Sequence, residues 1–202
     1  MKYLKTGIDR NVLVTILRYR MFLPYGRIEA KSSYSVLLNY GRKMLINTGV
    51  IENQPEVEGM LKGAGIGFKD LDCVINMTSQ PSHIGLNAVI QYKNPHTLFF
   101  AHPGDIAYIE DTVLAHEEKY VPGFYKLVAG NTENVRRLAD QQRFNLGKEV
   151  VRVQFQDNPD EPFALYLENS GILIEGQEVR KAKPLPVFTG RKTMDAHEAI
   201  FA

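Results

Sequence analysis

Apolar side chains along this chain switch between the spacing of strands and that of helices, and each switch predicts an element boundary. V-L-V-T-I-L at 12–17 is rich in β-branched and aliphatic residues and predicts a buried strand. In the following R-M-F-L-P-Y-G, Pro24 and Gly26 mark a turn. S-S-Y-S-V-L-L-N-Y-G-R-K-M-L-I-N-T-G then predicts a β-hairpin, turning at Tyr40-Gly41 and stopping at Thr48-Gly49. Residues 55–66 carry apolar side chains at helical spacing, with Pro55 placed to start a helix. L-D-C-V-I-N reads as a strand, S-H-I-G-L-N-A-V-I-Q-Y as a helix, and T-L-F-F-A-H as a strand again. Residues 105–119 and 131–142 read as helical or irregular, and F-N-L-G-K-E-V-V-R-V-Q-F as a strand pair.

F-A-L-Y-L-E-N-S-G-I-L-I-E-G-Q repeats the first hairpin in outline. Both copies run strand, Gly turn and short aliphatic strand, then a polar residue beside glycine: Asn47 near Gly49, and Gln177 after Gly176. This echo predicts two related β-lobes packed together, with no Pro/Ser linker between them. Sheets with helices between and outside them make the class an α/β sandwich.

Bulk properties narrow the function. The 202 residues suit a single domain, 1–202, and 44% hydrophobic with 23% charged residues is ordinary for a folded chain. A net charge of +1 offers no broad basic field for nucleic acid or anionic lipid, although Arg18, Arg20, Arg27 and Lys31 cluster locally. No segment approaches the roughly 20 apolar residues that span a bilayer. The N-terminus lacks an apolar leader core, and Cys73 is the one cysteine, set in an apolar run where it reads as buried. The expectation is a cytoplasmic protein without nucleic-acid or membrane partners.

Three stretches, in this order and spacing, resemble the metallo-β-lactamase-fold superfamily. Its first hairpin ends in an L-I-D-T-G-like motif, here L-I-N-T-G at 45–49. Its strand of D-x-V-I type leads to a His- and Asp-rich loop ending H-x-G, here D-L-D-C-V-I-N and then His83-Ile84-Gly85. Its later hairpin is matched by the segment from Gln156 to Gln177, so the likeness covers roughly residues 33–180. The resemblance implies a four-layer αββα sandwich and, in the family, a pair of metal ions beneath a bridging water. Mapped residue by residue, the metal-ligand places fall on Thr78, Gln80, Ser82 and His83, then on Asn158, Gln177 and, by a looser alignment, Arg191. The bracing aspartate of the first hairpin has become Asn47.

That set implies a loss of metal chemistry. Thr, Gln, Ser and Asn offer neutral donors, and a single imidazole without carboxylates is a poor host for two cations. His96, His102, His116 and His197 share no ligand-like spacing. Ser82 and His83, as chain neighbours, are poorly disposed to form a nucleophile–base pair. G-A-G-I-G at 63–67 follows a helix instead of opening one, which suits a helix end better than a phosphate loop. The expectation is therefore no metal and no cofactor, and a remnant pocket that takes a small polar or anionic ligand. An anion would be served by Arg191. The pocket would belong to a pseudoenzyme with a binding or regulatory role, and a homodimer is expected through the aromatic segment Tyr19 to Tyr34. The competing expectation is a hydrolase with a mononuclear or rebuilt metal site, or with His83 as general base. A third is a structural subunit of a larger complex.

Overall fold

The computed structural model describes residues 9–157, 162–176 and 178–182. Strands β1 (Val12–Phe22), β2 (Ile28–Asn39), β3 (Lys43–Ile46), β4 (Cys73–Asn76), β5 (Leu98–Ala101) and β6 (Arg136–Arg137) form one sheet in that order. β1, β2 and β3 run antiparallel, whereas β3 to β6 are parallel. A second, antiparallel sheet has the order β11-β10-β9-β8-β7. Its strands are β7 (Arg143–Asn145), β8 (Val150–Phe155), β9 (Phe163–Leu167), β10 (Ile172–Glu175) and β11 (Glu178–Lys181). The two hairpins that echo each other in sequence thus lie one in each sheet, β2/β3 and β9/β10.

Two cores follow from this stacking. Val36, Leu38, Met44, Ile46, Cys73, Ile75 and Phe100 face Val151, Val153, Phe163, Leu165, Ile172 and Ile174 between the sheets. On the other face of the six-stranded sheet, Leu37, Leu45, Val74 and Phe99 pack against helices. Covered on both sides, β2 to β4 need apolar residues at consecutive positions, which is why V-L-L, M-L-I and C-V-I lack alternation. Cys73 is fully buried and its thiol pKa is raised by that burial, so it is a packing residue.

The helices are α1 (Gln54–Gly63), α2 (Pro81–Ile84), α3 (Asn87–Lys93), α4 (Ile106–Glu110) and α5 (Thr112–Lys119). All five contribute to the helix-side core. Among the described residues the layers are therefore helix, sheet, sheet, and no helix covers the outer face of the five-stranded sheet. That face instead carries Arg143 and Arg152 paired with Glu168.

Several local readings change. β1 runs five residues past the predicted strand, and only Val12 and Leu17 in it are buried, because it is the edge of its sheet. The single helix expected over 82–92 is broken into α2 and α3 at Gly85 and Leu86. A Cβ on Gly85 would lie 2.5 Å from the carbonyls of Gly49 and Leu127 and 2.6 Å from Val50 Cα. This close approach of two chain segments fixes the break. Residues 131–142 are irregular apart from β6, and the strand β11 was not foreseen.

Candidate functional site

The site grows from the carboxyl end of β4, at the edge where β3, β4 and β5 stop side by side. Asn47 closes β3 in the left-handed region (φ 56°), which asparagine tolerates better than most residues. Its Oδ1 accepts from Met77 N (2.9 Å), its carbonyl accepts from Ser35 Oγ (2.6 Å), and its buried Nδ2 has no partner among the described residues. Gly49 is also left-handed (φ 78°), and a side chain there would strike Leu17.

Beneath the loop lies a net of neutral polar groups. Asn76 Nδ2 donates to the His83 carbonyl (2.7 Å), and Asn87 Nδ2 donates to Asn76 Oδ1 (2.8 Å). Thr48 Oγ1 donates to Asn87 Oδ1 (3.0 Å) and accepts from Leu86 N (3.2 Å), while Thr48 N donates to the His83 carbonyl (2.9 Å). Thr48, Asn76 and Asn87 are fully buried, so each bond is shielded from water and each missing partner would be costly.

Above the net the chain lines a cavity of about 310 Å³. Thr78, Gln80, Pro81 and Ser82 form its floor, with Asp105 from the loop after β5 and Lys119 from the end of α5. Tyr19 and Met21 of β1, with Val121 and Leu127, complete the lining. Leu17, Tyr19 and Met21 share one face of β1, so the face that enters the helix-side core at Leu17 continues outward over the cavity.

Thr78, Gln80 and Ser82 thus line one cavity. His83 stands beside the wall: its Nδ1 lies 3.1 Å from Ser82 Oγ and 3.4 Å from Thr78 Oγ1. Burial pushes the His83 pKa down to about 4, opposed by the nearby Asp105 carboxylate. The imidazole is therefore neutral at pH 7. Asn158, Gln177 and Arg191 lie outside the described residues, as do His197 and the helix expected near Thr193. Among the described residues no group of three or more His, Cys, Asp or Glu side chains is arranged to hold a metal ion. His96 is an exposed turn residue, His116 stacks on Tyr125 (4.7 Å), and His102 packs on the Phe155 ring (4.9 Å).

The charged part of the site was not anticipated from the sequence. Asp105 Oδ1 accepts from Ser79 N (3.0 Å), from the Ser79 hydroxyl in a short contact, and from Lys119 Nζ (3.4 Å). Lys119 also donates to Ser79 Oγ and lies 4.1 Å from the Tyr108 ring centroid. Asp105 had a signal available: it stands in H-P-G-D just past the carboxyl end of a parallel strand, where open α/β sheets bind ligands. Lys119, in E-E-K at a helix end, had none.

No family model matches this sequence, and no curated protein matches it. Solved structures do. A metallo-β-lactamase family protein from Thermus thermophilus is 20% identical over 78% of this chain and 57% of its own, with a TM-score of 0.56. A metallo-β-lactamase from Elizabethkingia meningoseptica is 18% identical, covering 75% of this chain and 55% of its own, with a TM-score of 0.55. A mutant metallo-β-lactamase from Cronobacter sakazakii is 17% identical, covering 70% of this chain and 55% of its own, with a TM-score of 0.57. The chain spans just over half the length of these three proteins. The chain has the metallo-β-lactamase fold.

Proposed function

We propose that this chain binds a small polar molecule in the cavity over Thr78–His83 and does not perform two-metal hydrolysis. The observation that carries the reading is the donor set of the cavity wall. Thr78 and Ser82 offer neutral hydroxyls, Gln80 an amide, and His83 a single imidazole engaged by Ser82. Asp105, the carboxylate on that wall, already accepts three bonds on one oxygen. Such a set does not offset the dehydration of two divalent cations, so the residues do not fit the family's metal pair. It does suit a ligand that exchanges hydrogen bonds with hydroxyls, an amide and a lysine.

A hydrolase using His83 as base is the competing reading, and the His83 environment weighs against it. An imidazole with a pKa near 4 is a weak base at pH 7. Self-association through the exposed edge of β1 accompanies the proposal, on the exposure of Ile16 (47%), Ile28 (57%) and Tyr25 (101%) along that hairpin.

Elemental analysis of the purified protein, with calorimetry against small carboxylates, phosphates and amino acids, tests the proposal. The expected result is far less than one transition metal per chain, with binding that Gln80→Trp abolishes by filling the cavity from its exposed floor residue. One tightly held metal per chain, or no binding at millimolar concentration, would overturn it.

A further inference from the structure

The charges on the cavity wall specify the ligand further. Asp105 is only 9% exposed, yet it lines the cavity. All three hydrogen bonds it accepts from the described residues fall on Oδ1, and Oδ2 receives none. A carboxylate this buried is stable only with its charge met, and its second oxygen remains an acceptor without a donor among the described residues. Lys119 Nζ stands 3.4 Å from Oδ1, with its side chain 32% exposed and on the same wall. Two of its three N–H groups go to Ser79 and Asp105.

Two opposite charges thus lie side by side in the lining of a cavity. Tyr19, Met21, Val121 and Leu127 add largely apolar surface to the same lining. A lone anion would have to compete with Asp105 for Lys119, and a lone cation would meet the repulsion of Lys119. A ligand carrying both charges on adjacent atoms satisfies each partner and leaves the pair's net charge at zero. From this geometry, and resting on the small-ligand reading above, we infer that the cavity recognises a small zwitterion of the α-amino-acid type with an apolar side chain. Its ammonium donates to Asp105 Oδ2, its carboxylate accepts from Lys119, and its side chain lies against Tyr19, Met21, Val121 and Leu127. Thr78 and Ser82 hydroxyls complete the polar end.

Calorimetry with free L-leucine, N-acetyl-leucine and leucine methyl ester tests this on the unaltered protein. Free leucine should bind at least tenfold more tightly than either capped form, since each cap removes one charge. Lys119→Met should weaken free leucine at least tenfold without weakening the methyl ester, which has no carboxylate for Lys119 to hold and, as a lone cation, is relieved of its repulsion. Asp105→Asn is the second variant, read only if its thermal unfolding matches the parent, and it should weaken leucine and the ester alike. Equal affinity for free and capped forms would overturn the inference. So would binding of simple carboxylates or phosphates, sensitive to Gln80→Trp, in the absence of leucine binding, and that outcome would leave the small-ligand reading standing. No binding by any of these compounds would overturn both.

Discussion

The underside and the upper face of the loop after β4 are built from similar residues to opposite effect. Below, Thr48, Asn76 and Asn87 are fully buried and bonded to one another and to the His83 carbonyl. Above, Thr78, Gln80 and Ser82 face a cavity, and Gln80 is exposed. Neutral polar side chains that close on themselves brace the backbone, whereas the same types left facing a cavity are available to a guest. The difference is one of partners, not of chemistry.

The brace should break first where backbone meets backbone. Gly85→Ala places a methyl group 2.5 Å from two carbonyl oxygens, and both are backbone atoms that cannot retreat without moving the chain. The expected loss exceeds about 3 kcal/mol, read as a shifted denaturant midpoint or as insoluble protein.

Acid comes next, acting on His83. Burial lowers its pKa from 6.5 to about 4. Above pH 6.5 the imidazole is neutral in both folded and unfolded states, and stability is full. As the pH falls from 6.5 toward 4 the unfolded chain takes up a proton that the folded chain resists, so stability declines. The decline should reach at most about 3 kcal/mol, and His83→Gln should flatten that part of a stability–pH curve.

The sharpest comparison is between one residue from each face. Asn76→Ala removes one of the donors to the His83 carbonyl and leaves Asn87 Nδ2 buried without its acceptor, which should cost about 2 kcal/mol of unfolding free energy. Gln80→Ala, on the exposed floor, should change stability by less than about 0.5 kcal/mol while weakening any ligand held in the cavity. Equal costs at the two positions would erase the distinction between brace and wall.

Much of this was legible from the chain alone. L-I-N-T-G and D-C-V-I-N fixed two adjacent strands, and the spacing to His83 placed Thr78, Gln80 and Ser82 on a common loop. Local patterns suffice there because apolar runs bounded by turn residues have few alternative placements. The break at Gly85 was not legible, since S-H-I-G-L-N-A-V-I keeps helical spacing throughout, and the break comes from a segment 36 residues earlier, at Gly49. The expected positive charge was assigned to Arg191, outside the described residues, whereas the structure brings Lys119 to the cavity.

By itself the sequence determined most of the strands and helices and the run of neutral polar residues before His83, because both are written in contiguous stretches. Only the tertiary structure decided that Ser79, Asp105 and Lys119 meet, and that the outer half of β1 overhangs them. Those residues stand up to 100 positions apart, from Tyr19 to Lys119, and no local pattern links them. Their meeting depends on how sheet edges and helix ends pack, which long-range burial controls.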